Sequence, residues 1–78
     1  MMYEKQCIKR FEDYFSAGAL NRDIRDFKES LKERVRNKEI ISARIDEIEE
    51  DCGWGYAFGV RDFLFHATIY YTILYLKE

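Results

Sequence analysis

Proline is missing from the chain, and glycine occurs only four times. Three of the glycines, Gly53, Gly55 and Gly59, crowd into one short stretch, which leaves few turn signals elsewhere. A fold of many short strands joined by tight turns is therefore not expected, and helix is the default. Cysteine is scarce too: Cys7 and Cys52 stand far apart with no CxxC spacing. They read as small apolar residues in a reducing, cytoplasmic setting rather than as a disulfide frame. The opening stretch, MMYEKQCIKRFEDYF, carries charges every few residues and so does not read as a signal peptide. His66 is the single histidine and lies among Phe65, Ala67 and Ile69, which suits a packed residue better than a catalytic one. Cys7, Asp51, Cys52 and His66 have no metal-ligand spacing, so no metal is expected. No phosphate-cradling glycine motif is present, and a Cys52–His66 nucleophile pair lacks any legible orienting group. No cofactor and no enzymatic activity are expected.

What is present is a short chain rich in apolar and aromatic side chains. Its 78 residues are 47% hydrophobic and 17% aromatic, far from the composition of a disordered segment. One domain spanning 1–78 is expected, with a thin core, since a chain of this size buries only about 60% of its unfolded surface. A formal charge of -2 argues against a generic nucleic-acid binder, which needs a clustered positive surface. The charge is unevenly placed: residues 22–38 hold seven basic and four acidic side chains, whereas residues 39–51 hold one basic and six acidic.

Hydrophobic spacing predicts an all-α fold, a small three- or four-helix bundle with helices at about 3–16, 20–37, 41–52 and 56–76. Tyr3, Cys7, Phe11, Tyr14 and Phe15 recur at threes and fours, as do Leu20, Ile24, Phe27, Leu31 and Val35. Asn21 is the expected cap of the second helix, and Gly18 the break before it. Ile41, Ile45, Ile48 and Cys52 outline the third, which is either separate from the second or continuous with it. A continuous version would run about 45 Å, too long for a lone subunit of this size to cover, and would imply a dimer. The last segment, YAFGVRDFLFHATIYYTILYL, is assigned to helix by its length, with a strand over 67–75 as the competing assignment. Its uncharged run from Phe63 to Leu76 falls short of the roughly 20 residues that span a membrane.

A helix so evenly apolar needs covering on every side, which this chain cannot supply. The expected function is therefore a non-enzymatic protein-binding module. It is expected to be a homodimeric small regulator or inhibitor of a larger complex, of a kind that phages and mobile elements encode. The expected partner and dimer contacts are Trp54, Tyr56, Phe58, Tyr70, Tyr71 and Tyr75, large side chains suited to anchoring an interface. Arg34, Arg36 and Lys38 are expected to meet Asp46, Glu49 and Glu50, either within the chain or across a dimer. The alternative is a DNA- or RNA-binding regulator using the basic end of the second helix, weakened by the interleaved Glu29, Glu33 and Glu39.

Overall fold

The computed structural model describes residues 1–77 and shows three long strands and one helix, not a helical bundle. In chain order these are β1 (Met2–Tyr14), α1 (Ala17–Arg36), β2 (Ser42–Ala57) and β3 (Val60–Leu76). The sheet order is β1-β3-β2, with β3 antiparallel to both neighbours. The segments expected as helices at 3–16 and 41–52 form β1 and most of β2, the one at 56–76 covers the end of β2, a turn and β3, in line with the competing strand over 67–75, and the second helix stops at Arg36 rather than running on.

Two register shifts explain how strands came to look helical. β1 pairs regularly from Met2 opposite Leu76 to Phe11 opposite Ala67, then slips so that Tyr14 meets Phe65. β2 slips between Ile45 and Glu47, so Ile45 and Ile48 both pack against the same core. An extra residue in a strand turns a spacing of two into a spacing of three without changing the face. Asp13, inside the first slip, has a positive φ of 65°, and its N–H donates to His66 Nδ1 at 3.1 Å.

The one helix begins earlier than its spacing implied. Ser16, rather than Asn21, is the cap, and its Oγ accepts from the Ala19 N–H at 3.3 Å. Gly18 lies inside the first turn and breaks nothing. At the other end, Glu39 N–H donates to Arg34 O at 2.9 Å and Lys38 N–H to Val35 O at 3.1 Å. That pair of bonds is the Schellman closure, here with Lys38 at φ 61° in the position that glycine usually takes.

The helix lies on one face of the sheet. Leu20 and Ile24 close over Phe11, Ala67 and Ile69, with Phe27, Ile45, Ile48, Phe65 and Tyr71 packed around them. Alternation along β3 sends Phe63, Phe65, Ala67, Ile69 and Tyr71 to this face and Leu64, His66, Thr68, Tyr70 and Thr72 to the other. The molecule is elongated, 49 × 19 × 19 Å, because β2 and β3 run on beyond the last residue of β1 as a two-stranded arm. Among the described residues, no helix is long and apolar enough to cross a membrane.

Candidate functional site

The arm ends in a two-residue turn at Phe58 and Gly59, both with positive φ, at 55° and 77°. A right-twisted hairpin favours this type I′ geometry, which normally selects Asn-Gly. Glycine adopts it freely, but a phenylalanine held there is strained by about 1–2 kcal/mol. The ring that carries this strain is 86% exposed, and Trp54 and Tyr56 beside it are 67% and 75% exposed. Strain held at an exposed aromatic tip has no explanation in core packing, and such outliers cluster at functional sites.

Pairing sets the composition of each side of the arm. Trp54 opposes Phe63, Tyr56 opposes Arg61 and Cys52 opposes Phe65, so one side is aromatic. The rings form a connected series leading out of the core: Phe65 meets Phe63 edge-on at 5.5 Å, and Phe63 meets Trp54 edge-on at 5.7 Å. The Arg61 guanidinium lies over the Trp54 ring at 5.7 Å. Pre-set rings of this kind lose little side-chain freedom when a partner covers them.

On the other side stand Gly53, Gly55 and Ala57 opposite Leu64, Asp62 and Val60. Leu64 is only 2% exposed, and a Cβ on Gly55 would stand 3.2 Å from its Cδ1. The glycine is there to let Leu64 approach. At the tip, Phe58 tilts against Phe15 at 6.1 Å and borders an open groove of about 710 Å³ with the end of β1 and Phe27. The arm therefore curls back toward the body instead of standing free.

Of the residues the sequence offered as contacts, Trp54, Tyr56 and Phe58 come together on this arm, and the three later tyrosines do not join them. Tyr70 lies on the sheet face away from α1, donating to Glu49 at 3.3 Å. Its hydroxyl ionises later than an ordinary tyrosine's, chiefly because the nearby Glu49 charge disfavours the phenolate. Tyr71 is tucked under the helix, edge-on to Phe27 at 5.2 Å, and burial above all makes it ionise later than an ordinary tyrosine. Tyr75 stacks on Tyr3 at 5.9 Å, toward the opposite end of the sheet. Sequence reasoning passed over Arg61, Phe15 and the strained tip as a unit. The helix expected over 56–76 runs straight through Phe58 and Gly59, where the structure has the turn.

The charged set is also divided. Arg34 pairs with Glu39 at 3.7 Å and Arg36 with Glu33 at 2.9 Å, while Lys38 caps the helix. Asp46 and Glu49 lie on the far face of the sheet, where Asp46 accepts from Thr72 at 2.5 Å and from Arg44 at 2.7 Å. Those two bonds, Thr72 first, hold the Asp46 carboxyl below its ordinary range. Glu50 sits near the start of α1, beside Ala17 and Leu20. Intrachain pairing of the two charge clusters is thus limited to neighbours in sequence. Asp51 and His66 are opposed on the sheet, but no group of three His, Cys, Asp or Glu side chains converges among the described residues. Compared with protein-family models, curated proteins and solved structures, the chain matches none, and the functional reading rests on its geometry.

Proposed function

We propose that the protein works by docking on another protein through the aromatic arm, with Trp54, Tyr56 and Phe58 as anchors and Arg61 as their polar companion. One observation carries the reading: three large rings, each at least two-thirds exposed, share one end of the hairpin, with Trp54 held edge-on to Phe63 and Phe58 held against Phe15. Rings of this size and rigidity are what interface hot spots are made of. A chain of 9.5 kDa that presents one such element suits a regulator or inhibitor which occludes part of a larger complex. The free thiols of Cys7 and Cys52 support a reducing, cytoplasmic setting.

The nucleic-acid alternative finds less support, because the basic side chains it needs already face carboxylates. Lys32 lies 3.2 Å from Glu29, Arg36 2.9 Å from Glu33, and Arg34 3.7 Å from Glu39.

The test is affinity capture from native extract with the full chain, compared with a Trp54→Ala, Tyr56→Ala, Phe58→Asn triple variant. A stoichiometric partner recovered by the wild type and lost by a variant of unchanged circular dichroism is expected. Recovery of the same partner by both chains would refute the assignment, as would capture of none.

A further inference from the structure

β3 has a neighbour on each side, but β1 pairs only with β3 and leaves its outer edge open. Which of its groups point outward follows from one bond. Lys77 N–H donates to Met1 O at 3.1 Å, and Met1 and Lys77 occupy opposed positions on the ladder. In an antiparallel pair such residues exchange both bonds, and the pattern alternates. Odd-numbered residues of β1 up to Phe11 therefore bond to β3. Met2, Glu4, Gln6, Ile8 and Arg10 turn their N–H and C=O groups away from the sheet. This edge is straight over nine residues, and it exposes Met2 and Ile8, the latter 67% accessible.

We propose that the edge is taken by a second copy of the chain, with β1 antiparallel to β1 about a twofold axis through Gln6, making one six-stranded sheet. The register follows from matching the straight segment to itself end to end. Met2 then opposes Arg10 of the other copy, Glu4 opposes Ile8, and Gln6 opposes its own equivalent. All five outward-facing residues find a hydrogen-bonding counterpart.

Charge supports this choice. No like charges face one another in this register, and Lys9 of one copy meets the Tyr3 ring of the other. A register shifted to centre on Cys7 would set Lys5 against Lys9 twice, and one centred on Ile8 would set Glu4 against Glu12. The outer edge of β2 does not suit a second copy: it is kinked between Ile45 and Glu47 and carries Asp46, Glu47, Glu49, Glu50 and Asp51. Self-pairing there would bring acid against acid. Because the β1 strands cross antiparallel, the two aromatic arms would lie at opposite ends of the joined sheet. The inference does not depend on what the arm binds.

A twofold axis through one residue gives a distinctive signature: any charge placed there faces itself. Sedimentation of the full chain should show twice the 9.5 kDa mass. Gln6→Glu and Gln6→Lys should each weaken association by about threefold to fivefold, and an equimolar mixture of the two should restore it as a heterodimer. As a second measurement, Lys5→Cys in a Cys52→Ser background should give a dimer cross-linked between position 5 and the native Cys7, since these face each other as a close, non-hydrogen-bonded pair. A chain that stays monomeric at high concentration overturns the proposal. So does a dimer indifferent to both Gln6 variants, or one that cross-links through Cys7 alone without the Lys5 change.

Discussion

Replacing Phe58 by Asn should separate what the tip does for folding from what it does for binding. Asparagine adopts positive φ readily, so the change relieves about 1 kcal/mol of backbone strain at φ 55°. Against this stands the lost contact with Phe15, where the rings are 6.1 Å apart and tilted by 49°. A full aromatic pair contributes about 0.5–1.5 kcal/mol, and a ring 86% exposed should give the lower end, about 0.5 kcal/mol. The net expectation is a gain of about 0.5 kcal/mol, or a rise in melting temperature of roughly 2–4 °C for a domain of this size. Thermal and urea denaturation followed by circular dichroism would measure it. Affinity for the captured partner should fall by more than about tenfold, because a central aromatic anchor is lost. A stability loss above about 1 kcal/mol would show that Phe58 is a clamp holding the arm to Phe15, and the case for it as a contact residue would fail.

Lys38→Gly should stabilise the chain by about 0.5–1 kcal/mol, since the helix end already has the hydrogen bonds of a glycine closure around a lysine at φ 61°; urea denaturation checks this. Gly55→Ala should destabilise by about 1 kcal/mol, because the new methyl would press on Leu64 at 3.2 Å; an unchanged midpoint would mean that Leu64 can yield. Tyr14→Phe removes the 2.5 Å hydrogen bond to Asp23, which is the main reason that Tyr14 ionises later than an ordinary tyrosine. The neutral phenol is the form that folding favours. Its contribution is therefore intact below about pH 10 and lost as pH rises through the raised folded value. The variant should lose about 1 kcal/mol at neutral pH and show a shallower alkaline decline, with Tyr70 and Tyr71 supplying the remainder.

Much of what misled a reading of the sequence comes from arithmetic common to helices and strands. Tyr3, Cys7 and Phe11 recur every four residues, which keeps one face of a helix but also, being even, one face of a strand. The deciding steps were Phe11 to Tyr14 and Ile45 to Ile48, where a spacing of three excludes a regular strand. Both coincide with an extra residue in the ladder, and the one local signal is the Asp that lies in each shift, Asp13 and Asp46, a residue type poorly suited to a regular strand. β3 was misassigned by length, since 17 residues exceed an ordinary strand by far. Its content of Val, Ile, Thr, Tyr and Phe favoured strand throughout. The helix was legible because the steps of three and four through Leu20, Ile24, Phe27, Leu31 and Val35 run through a stretch filled with Arg, Lys and Glu, which are good helix formers and poor strand formers. The aromatic arm was half legible. Trp54, Tyr56 and Phe58 alternate at two, the spacing of one strand face, and the helix assignment grouped them with Tyr70, Tyr71 and Tyr75, which the sheet places elsewhere.

The sheet face away from the helix has no layer over it, yet it does not call for a partner in the way the arm does. Thr68 and Thr72 on the central strand are buried there by their neighbours' long side chains. Arg10 donates to Thr68 at 2.6 Å while holding Glu12 at 2.8 Å, and Asp46 bridges Thr72 and Arg44. No buried side-chain nitrogen or oxygen among the described residues lacks a partner. Covering such a face would strip water from charges already satisfied, a loss that an incoming surface would have to match group by group. The arm has the opposite balance, with large rings in water and little polar surface to desolvate. Thr68→Val with Thr72→Val should therefore weaken folding by about 1 kcal/mol per lost bond. It should also move the Asp46 carboxyl back up toward its ordinary value, as seen by NMR titration, and leave capture of the partner unchanged. Loss of the partner in that double variant, with the fold intact, would place the binding surface on the open face and remove the argument for the arm.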